Sequence, residues 1–255
     1  MEKWRLLDLE TPNQAAMNLA IEEAFFITRI EAKVPPTVRF WRNRSAVVVG
    51  YSQSVEAEVN LEVCRDRGIQ VLRRFSGGGA VYHDLGNLNC SIAVEADHPL
   101  LKGLDIIDSY SVLCSGIIEG LKSLGIALAF DPPSDLLVGT KKVSGNAQSR
   151  KKGVVFHHGT LLVSTDLNLL TKVLNVPDES QRARKVDVKK KSVTNLADEI
   201  GCQLQIQRVK EALQQGFEKS FSVILEKSGL TPEERRIAQD LFSQKYSRNE
   251  WNFWR

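Results

Sequence analysis

Apolar residues recur at helical spacing in six stretches of the chain. Spacings of three and four residues put apolar side chains on one face of a helix, and proline, glycine and capping patterns mark its ends. Thr11 and Pro12 are typical of a helix start, and Thr231 opens a stretch with capping-box spacing. The predicted helices cover 11–34, 59–67, 106–123, 166–174, 209–225 and the stretch from 231 onward.

Short continuous or alternating apolar runs lie between these stretches and predict strands. The predicted strands are 37–41, 46–49, 70–72, 80–82, 89–94, 126–130, 136–138, 141–147 and 154–163. Gly139-Thr140 and Lys151-Lys152-Gly153 predict hairpin turns. Because hairpins are mixed with helices and no linker is visible, the pattern predicts an α+β fold in a single domain spanning residues 1–255.

Composition narrows the class of protein. The 255 residues carry a net charge of +3, which does not by itself require a nucleic-acid partner. The four cysteines are scattered without a CxxC pair, which is typical of a reducing compartment. No apolar run approaches the ~20 residues of a membrane span. These features predict a cytoplasmic enzyme or binding protein that needs no membrane.

Three consecutive glycines follow an arginine pair at Arg73-Arg74, between two apolar runs. Glycine backbone can approach a ligand closely, and its N–H groups, with both arginines at the rim, suit a phosphate or a carboxylate. A simple flexible hairpin loop is the alternative.

Lys142 lies in a predicted strand that continues with small polar residues. Alternation along a strand predicts that Lys142 and Ser144 share one face, with Lys141 and Val143 on the other. An ammonium beside Gly145 could stabilise charge on a phosphate or carboxylate oxygen. Two solvated surface lysines are the alternative.

The histidines do not predict a metal site. His157 and His158 are adjacent in a predicted strand and therefore point to opposite faces, so we expect no zinc ion there. His83 and Asp84 predict an orienting hydrogen-bond pair, since no serine or cysteine elbow supplies a nucleophile for a catalytic dyad.

Together these motifs resemble the lipoate–protein ligase family. The resemblance rests on RRFSGGGAVYHDLGNLN at 73–89, KKVSGNAQSR at 141–150 and FHHGTLL at 156–162, with supporting matches from 18 to 253 in family order. It implies a catalytic domain similar to that of biotin–protein ligases, with a mixed, mainly antiparallel sheet flanked by helices. It also implies a reaction in which lipoate and ATP, with Mg²⁺, give lipoyl-AMP, whose acyl group passes to a lysine of a lipoyl domain or of glycine-cleavage H protein.

The resemblance assigns roles within the motifs. It implies that Lys142 is catalytic, and that Arg74 with the backbone of Gly77 to Tyr82 holds the phosphates and the adenylate. The expected cofactor-binding residues are Arg74, Ser76, Gly77, Gly78, Gly79, Ala80, Val81, Tyr82, His83, Ser144, Gly145, His158, Gly159 and Thr160.

Partners follow from the same resemblance. Many ligases of this family carry an accessory domain after a motif like that at 249–253, and this sequence ends at Arg255, so we expect no accessory domain in the chain and a possible separate accessory protein. The basic stretch at 181–191 predicts an exposed loop near the site that could meet an acidic acceptor domain or simply be solvated.

Two other activities remain open. Octanoyltransferases of similar fold use a cysteine before the lysine motif to form an acyl thioester, but residues 124–139 contain none. A family member that binds lipoyl groups without catalysis is the second alternative, and the sequence does not separate lipoate from octanoate.

Overall fold

Strands form two sheets in the part of the chain that is described. The structure is a computed structural model that describes residues 1–175 and 192–255. Its strands are β1 (Glu2–Asp8), β2 (Thr37–Trp41), β3 (Ser45–Val49), β4 (Gln70–Arg73), β5 (Val81–Asp84), β6 (Asn87–Glu95), β7 (Ala129–Asp131), β8 (Asp135–Val138), β9 (Lys141–Lys151), β10 (Val154–Leu162) and β11 (Val223–Lys227). The eight strands of the large sheet run in the order β11-β1-β2-β6-β10-β9-β8-β7, and β4-β3-β5 form the small one.

Helices cover both sheets. They are α1 (Ala15–Ile30), α2 (Val55–Glu58), α3 (Leu61–Asp66), α4 (Ile106–Lys122), α5 (Leu167–Val173), α6 (Leu196–Ile200), α7 (Ile206–Phe221), α8 (Pro232–Leu241) and α9 (Asn249–Asn252), with a π-helical turn at Phe242–Tyr246. Apolar side chains of α4 and α7 pack on one face of the large sheet. Helix α1 lies between the sheets, with Leu19 packed towards β3 and Phe25 packed towards Phe156 of β10. No described helix has the length and apolar character needed to cross a membrane.

The predicted α+β class and mixed, mainly antiparallel sheet are confirmed. Strand β1 is parallel to both of its neighbours, whereas the other strand pairs of the large sheet are antiparallel. Both predicted hairpin turns are present: Gly139-Thr140 joins β8 to β9, and Lys152-Gly153 joins β9 to β10. Gly139, Lys152 and Gly153 have positive φ angles of 56°, 47° and 77°. The single-domain assignment stays a prediction.

The sequence pattern missed the first and last strands. Strand β1 was not predicted, and β11 fell inside a helix predicted to reach Leu225. Helix α7 ends at Phe221, because Ser222 adopts a left-handed conformation with φ 55° and turns the chain into β11. The two strands stabilise each other by parallel pairing across more than two hundred residues, which local periodicity cannot reveal.

Several helix boundaries also differ from the prediction. Thr11 is not an N-cap: it accepts a backbone hydrogen bond from Gln14 in a turn, and α1 starts at Ala15. The helix predicted at 59–67 is α3, capped by Asn60, and the short helix α2, capped by Ser54, precedes it and was not predicted. The predicted capping box at Thr231 is confirmed. The basic stretch 181–191 and Pro177, predicted to end a helix, lie outside the described residues.

Glycines allow α4 and α7 to approach closely. A Cβ atom added at Gly216 would lie 2.2 Å from the carbonyl oxygen of Gly116 and 2.3 Å from the amide nitrogen of Gly120. We expect Gly216→Ala to lower the free energy of unfolding by about 2–3 kcal/mol, because backbone atoms cannot yield as side chains do. Denaturant unfolding measures this, with Gly229→Ala as the control, since nothing lies within 4 Å of that site. Equal stability of the two variants would contradict the close approach.

Candidate active site

A cavity of about 180 Å³ lies between α1, β9, β10 and the glycine loop, defined as residues 76–80. One part of its wall is apolar, and the rest presents hydroxyl, amide, imidazole and ammonium groups. The apolar lining consists of Leu19, Trp41, Val48, Phe75, Val81 and Phe156. This arrangement suits a ligand with an aliphatic part and an anionic head.

The glycine loop is folded by contacts that leave no room for side chains. Gly78 has a φ of +90°, and a Cβ added at Gly50 would lie 2.1 Å from the Gly78 carbonyl oxygen. Within the described residues, the amide groups of Gly77, Gly78 and Gly79 donate no hydrogen bond. Successive free amides of this kind can bind an anion.

Arg74 shapes the loop from inside. Its Nη2 donates to the carbonyl oxygens of Gly77 at 2.6 Å and Gly79 at 2.8 Å, and its Nη1 donates to that of Val48 at 3.1 Å. Burial lowers the pKa of Arg74 to about 10, so the guanidinium remains charged at neutral pH. Arg74 therefore contributes positive potential to the cavity while its hydrogen bonds hold the loop.

Arg73 does not face the cavity, so the expectation that both arginines lie at its rim is wrong for this residue. Its side chain is fully buried, and its guanidinium binds backbone carbonyls of residues 50–53 and 251–255. Successive residues at the end of β4 point in opposite directions, which separates the two arginines.

Lys142 lines the cavity beside Gly145, as the sequence predicts. Its Nζ lies 2.7 Å from Oδ1 of Asp135, and a Cβ added at Gly145 would come within 2.8 Å of this nitrogen. Lys141 instead points outward and pairs with Glu199 at 2.9 Å. The two lysines thus differ completely in environment.

A β-bulge changes the face of the residues that follow Lys142. Ser144 lies opposite Leu136 and Lys142 lies opposite Leu137, which leaves Val143 as the extra residue. Gly145 therefore joins Lys142 on the cavity side, whereas Ser144 is buried outside the cavity lining. The predicted shared face of Lys142 and Ser144 is wrong because sequence alternation does not reveal a bulge.

Histidines on β5 and β10 hold the polar wall. Nε2 of His158 lies 2.6 Å from the Ser76 hydroxyl, and Nε2 of His83 lies 3.1 Å from the Thr160 hydroxyl. His83 also contacts the Asn43 amide, so its predicted pairing with Asp84 is wrong. Burial, reinforced by Arg74, lowers the pKa of His83 to about 3 and that of His158 well below its usual value. Both rings are neutral at physiological pH.

Most of the residues singled out from sequence meet at this cavity. Those in its lining are Arg74, Ser76, Gly78, Gly79, Ala80, Val81, His83, Lys142, Gly145, His158, Gly159 and Thr160. Gly77 reaches it only through the loop, by its carbonyl bond to Arg74. The Tyr82 side chain packs in a separate apolar cluster, because it alternates with Val81 and His83 along β5.

Sequence reasoning missed a polar group at the base of the cavity. Glu22 of α1 is buried there, accepts a bond from Arg39 at 2.7 Å and accepts another from the Ser91 hydroxyl. Burial raises the pKa of Glu22, which Arg39 opposes. The available signal was an acidic residue three positions after Leu19, on the otherwise apolar face of a predicted helix.

Two polar atoms of the lining have no partner in the described structure. These are Nδ2 of Asn89 and Oδ1 of Asn146, both buried. Buried donors and acceptors are rarely left unpaired, so the cavity fits a polar ligand as well as an apolar one. No group of three or more histidine, cysteine, aspartate or glutamate residues suited to a metal occurs in the described parts of the chain.

None of the four cysteines lines the cavity, and all four belong to the described chain. Cys114 lies on α4, with its Sγ 3.8 Å from Nε2 of His157 on the opposite face of β10. Burial raises the pKa of Cys114 to about 12 and raises that of Cys90 well above its usual value. A raised pKa disfavours the nucleophilic thiolate.

His157 should make stability depend on pH. Burial lowers its folded pKa to about 3, so as pH falls below about 6.5 the unfolded chain binds the proton first and stability decreases. We expect His157→Gln to reduce the slope of unfolding free energy against pH by up to ~1.4 kcal/mol per pH unit between about pH 5.5 and 4. Urea unfolding at several pH values tests this. Equal slopes for the parent protein and His157→Gln would contradict burial as the cause.

Comparison with known proteins finds relatives of two kinds, a ligase subunit and octanoyltransferases. The chain is 34% identical to lipoate-protein ligase A subunit 1 of Thermoplasma acidophilum, covering 97% of this chain and 95% of the relative. It is 36% identical to octanoyltransferase LipM of Geobacillus kaustophilus, covering 99% of this chain and 98% of the relative.

Solved structures show the same fold. A bi-partite lipoate protein ligase of T. acidophilum, solved with its E2 lipoyl domain, matches with a TM-score of 0.86 and 34% identity over 99% of this chain and 97% of that one. A lipoate-protein ligase A bound with ATP matches with a TM-score of 0.85 and 35% identity over 99% of each chain. A T. acidophilum protein with bound lipoic acid matches with a TM-score of 0.84 and 33% identity, over 99% of this chain and 100% of that one. The family model of the lipoyl protein ligase A/B catalytic domain matches residues 14–218, and the chain belongs to this family.

Proposed function

We propose that the chain is the catalytic part of an ATP-dependent lipoate–protein ligase. The observation that carries this proposal is the cavity itself, where the glycine loop and Lys142 meet beside an apolar wall that contains no thiol. Relatives with bound ATP and with bound lipoic acid support the two substrates. The acceptor would be a lysine of a lipoyl domain or of glycine-cleavage H protein, and the ligase solved with its E2 lipoyl domain supports the former.

In the first step, a carboxylate oxygen of lipoate attacks the α-phosphorus of ATP. The bond from that phosphorus to the leaving oxygen breaks, which releases pyrophosphate and leaves lipoyl-AMP. The free amides of Gly77 to Gly79 would hold phosphate oxygens, while Arg74 keeps the loop in shape and adds positive potential. The apolar wall would hold the aliphatic tail and dithiolane ring.

In the second step, the neutral amine of the acceptor lysine attacks the acyl carbon and forms the amide. The bond from that carbon to the phosphate oxygen breaks, AMP leaves, and the amine loses one proton to the leaving phosphate or to water. Negative charge develops on the acyl oxygen in the transition state. The Lys142 ammonium is fixed at the cavity side of β9 and would stabilise that charge, as it would stabilise the charge on the phosphate oxygens in the first step. Ser76, held by the neutral ring of His158, would add a hydroxyl at the head of the ligand.

Mg²⁺ would accompany ATP and neutralise phosphate charge. The described residues contain no group of three or more metal-ligating side chains, so most ligands of Mg²⁺ would come from the ATP phosphates and water.

Octanoyl transfer is the second candidate, because octanoyltransferase relatives are as similar as the ligase subunit. A cysteine-based transfer requires an accessible thiol next to the acyl group. The cysteines stand away from the cavity, and burial raises the pKa of Cys64, Cys90 and Cys114. The positions of the cysteines therefore favour the adenylate route over a thioester. The presence of both Lys142 and the glycine loop favours an enzyme over a family member that binds lipoyl groups without catalysis.

Lys142→Ala should reduce lipoate-dependent pyrophosphate release and acyl transfer by at least ~10²–10³ without unfolding the protein, because a fixed transition-state charge is lost. Lys141→Ala is the matched control and should be nearly silent, since Lys141 is exposed and pairs with Glu199. Pyrophosphate release and mass spectrometry of the acceptor lysine measure the two steps. No pyrophosphate from the parent protein, together with a hydroxylamine-sensitive acyl adduct, would establish the transferase instead.

We also propose that a separate accessory protein assists adenylation, which the bi-partite ligase of T. acidophilum supports. Exclusion of water by such a protein would strengthen the charge interactions of the first step. The chain by itself should therefore transfer acyl groups from synthetic lipoyl-AMP faster than it does from lipoate and ATP. Rates measured in parallel with one lipoyl domain test this, and equal rates from the two acyl sources would remove the need for an accessory protein.

A further inference from the structure

Arg73 joins two segments that are distant in sequence. Its guanidinium is fully buried and donates only to backbone carbonyls among the described residues. Three acceptors lie after β3 and two in the segment 249–255, here named the closing segment: Gly50 at 2.9 Å, Tyr51 at 3.0 Å, Gln53 at 2.7 Å, Trp251 at 3.3 Å and Arg255 at 3.1 Å. One side chain therefore binds both segments.

The backbone of Arg73 makes a second set of bonds to the closing segment. Its N–H donates to Oδ1 of Asn252 at 3.0 Å, and its carbonyl oxygen accepts from Nε1 of Trp251 at 2.9 Å. The carbonyl oxygen of Arg255 also accepts from the amide of Val55 at 2.9 Å. The closing segment thus lies along the outer edge of β4 and is held there at Trp251, Asn252 and Arg255.

Residues 50–53 are in turn the outer support of the glycine loop. The Tyr51 amide donates to the Ser76 carbonyl oxygen at 2.8 Å. Gly50 packs so closely on Gly78 that no methyl group fits between them. Any displacement of residues 50–53 must therefore move the glycine loop.

We infer that Arg73 is a positioning residue, which holds the glycine loop in its anion-binding shape by tying residues 50–53 to the closing segment. A planar guanidinium with five N–H groups can serve several carbonyls at once, whereas the ammonium of lysine has three donors on one atom. The consequence for catalysis rests on the proposed function, since it requires that the loop binds the phosphates of ATP.

Exchange of amide hydrogens in the substrate-free protein tests the positioning role directly. For Arg73→Lys we expect exchange of the hydrogen-bonded amides of Gly50, Tyr51 and Gln53 to become about five- to tenfold faster, as the loss of one or two hydrogen bonds implies. The Tyr51 amide reports on the glycine loop, because it donates to the Ser76 carbonyl oxygen. Exchange in the distant hairpin of β9 and β10 should stay unchanged. Unchanged exchange of the Tyr51 amide, with a lower midpoint of thermal unfolding, would show a merely structural role and overturn the inference.

A matched pair of surface variants covers the case in which Arg73→Lys fails to fold. Trp254 and Phe253 are adjacent and similarly exposed, at 41% and 40%. The Trp254 ring lies 5.6 Å from the Arg73 guanidinium and 5.3 Å from the Tyr51 ring. Trp254→Ala should accelerate exchange of the Tyr51 amide about two- to threefold, and Phe253→Ala should not. Equal exchange in these two variants would overturn the inference.

Kinetics then connect the positioning to the reaction. Arg73→Lys should raise KM for ATP about tenfold with a smaller change in kcat, because a loosened loop weakens phosphate binding before it affects the chemical step. An unchanged KM for ATP would overturn the link to catalysis. Absence of ATP-dependent activity in the parent protein would instead count against the proposed function, and the exchange measurements would still decide the role of Arg73.

Discussion

The buried guanidinium of Arg74 is the interaction on which the cavity depends. A loop of three glycines has no side chains to fix its shape, and its backbone is entropically costly to order. Arg74 supplies the missing interactions from within, by binding the carbonyl oxygens of Gly77, Gly79 and Val48. Because the carbonyl oxygens of Gly77 and Gly79 point to the guanidinium, the amide groups of the loop remain available to bind a ligand.

Burying this charge also determines the protonation of its surroundings. A cation removed from water makes further positive charge costly nearby, and this effect adds to desolvation in keeping His83 and His158 neutral. A neutral imidazole can accept as well as donate, which allows the close contacts with Thr160 and Ser76. The polar wall is therefore held by hydrogen bonds between neutral groups, and its positive potential comes from Arg74 and Lys142.

Features that depend on neighbouring residues could be predicted from the sequence, whereas features that depend on contacts between distant parts of the chain could not. Helix α4 and the hairpins around Gly139 and Gly153 depend on local patterns and were predicted. Strand β11 depends on pairing with β1, at the other end of the chain, and was missed. The bulge at Val143 depends on the register with β8, and it decides that Gly145 rather than Ser144 reaches the cavity. Motifs located the residues, but only tertiary structure showed where Arg73 and Arg74 point.

The ion pair between Lys142 and Asp135 explains how a charged lysine can line a largely apolar cavity when no anionic substrate is bound. An ammonium without a counterion would be costly there, and the Asp135 carboxylate supplies one at 2.7 Å. The Lys142 side chain remains 32% exposed, so solvent screens the pair and keeps it weak enough to exchange. In the proposed reaction, a substrate carboxylate or phosphate replaces one anionic partner by another. An anionic group then faces Lys142 before and after the exchange, and the bulge that turns Gly145 inward leaves space beside Lys142.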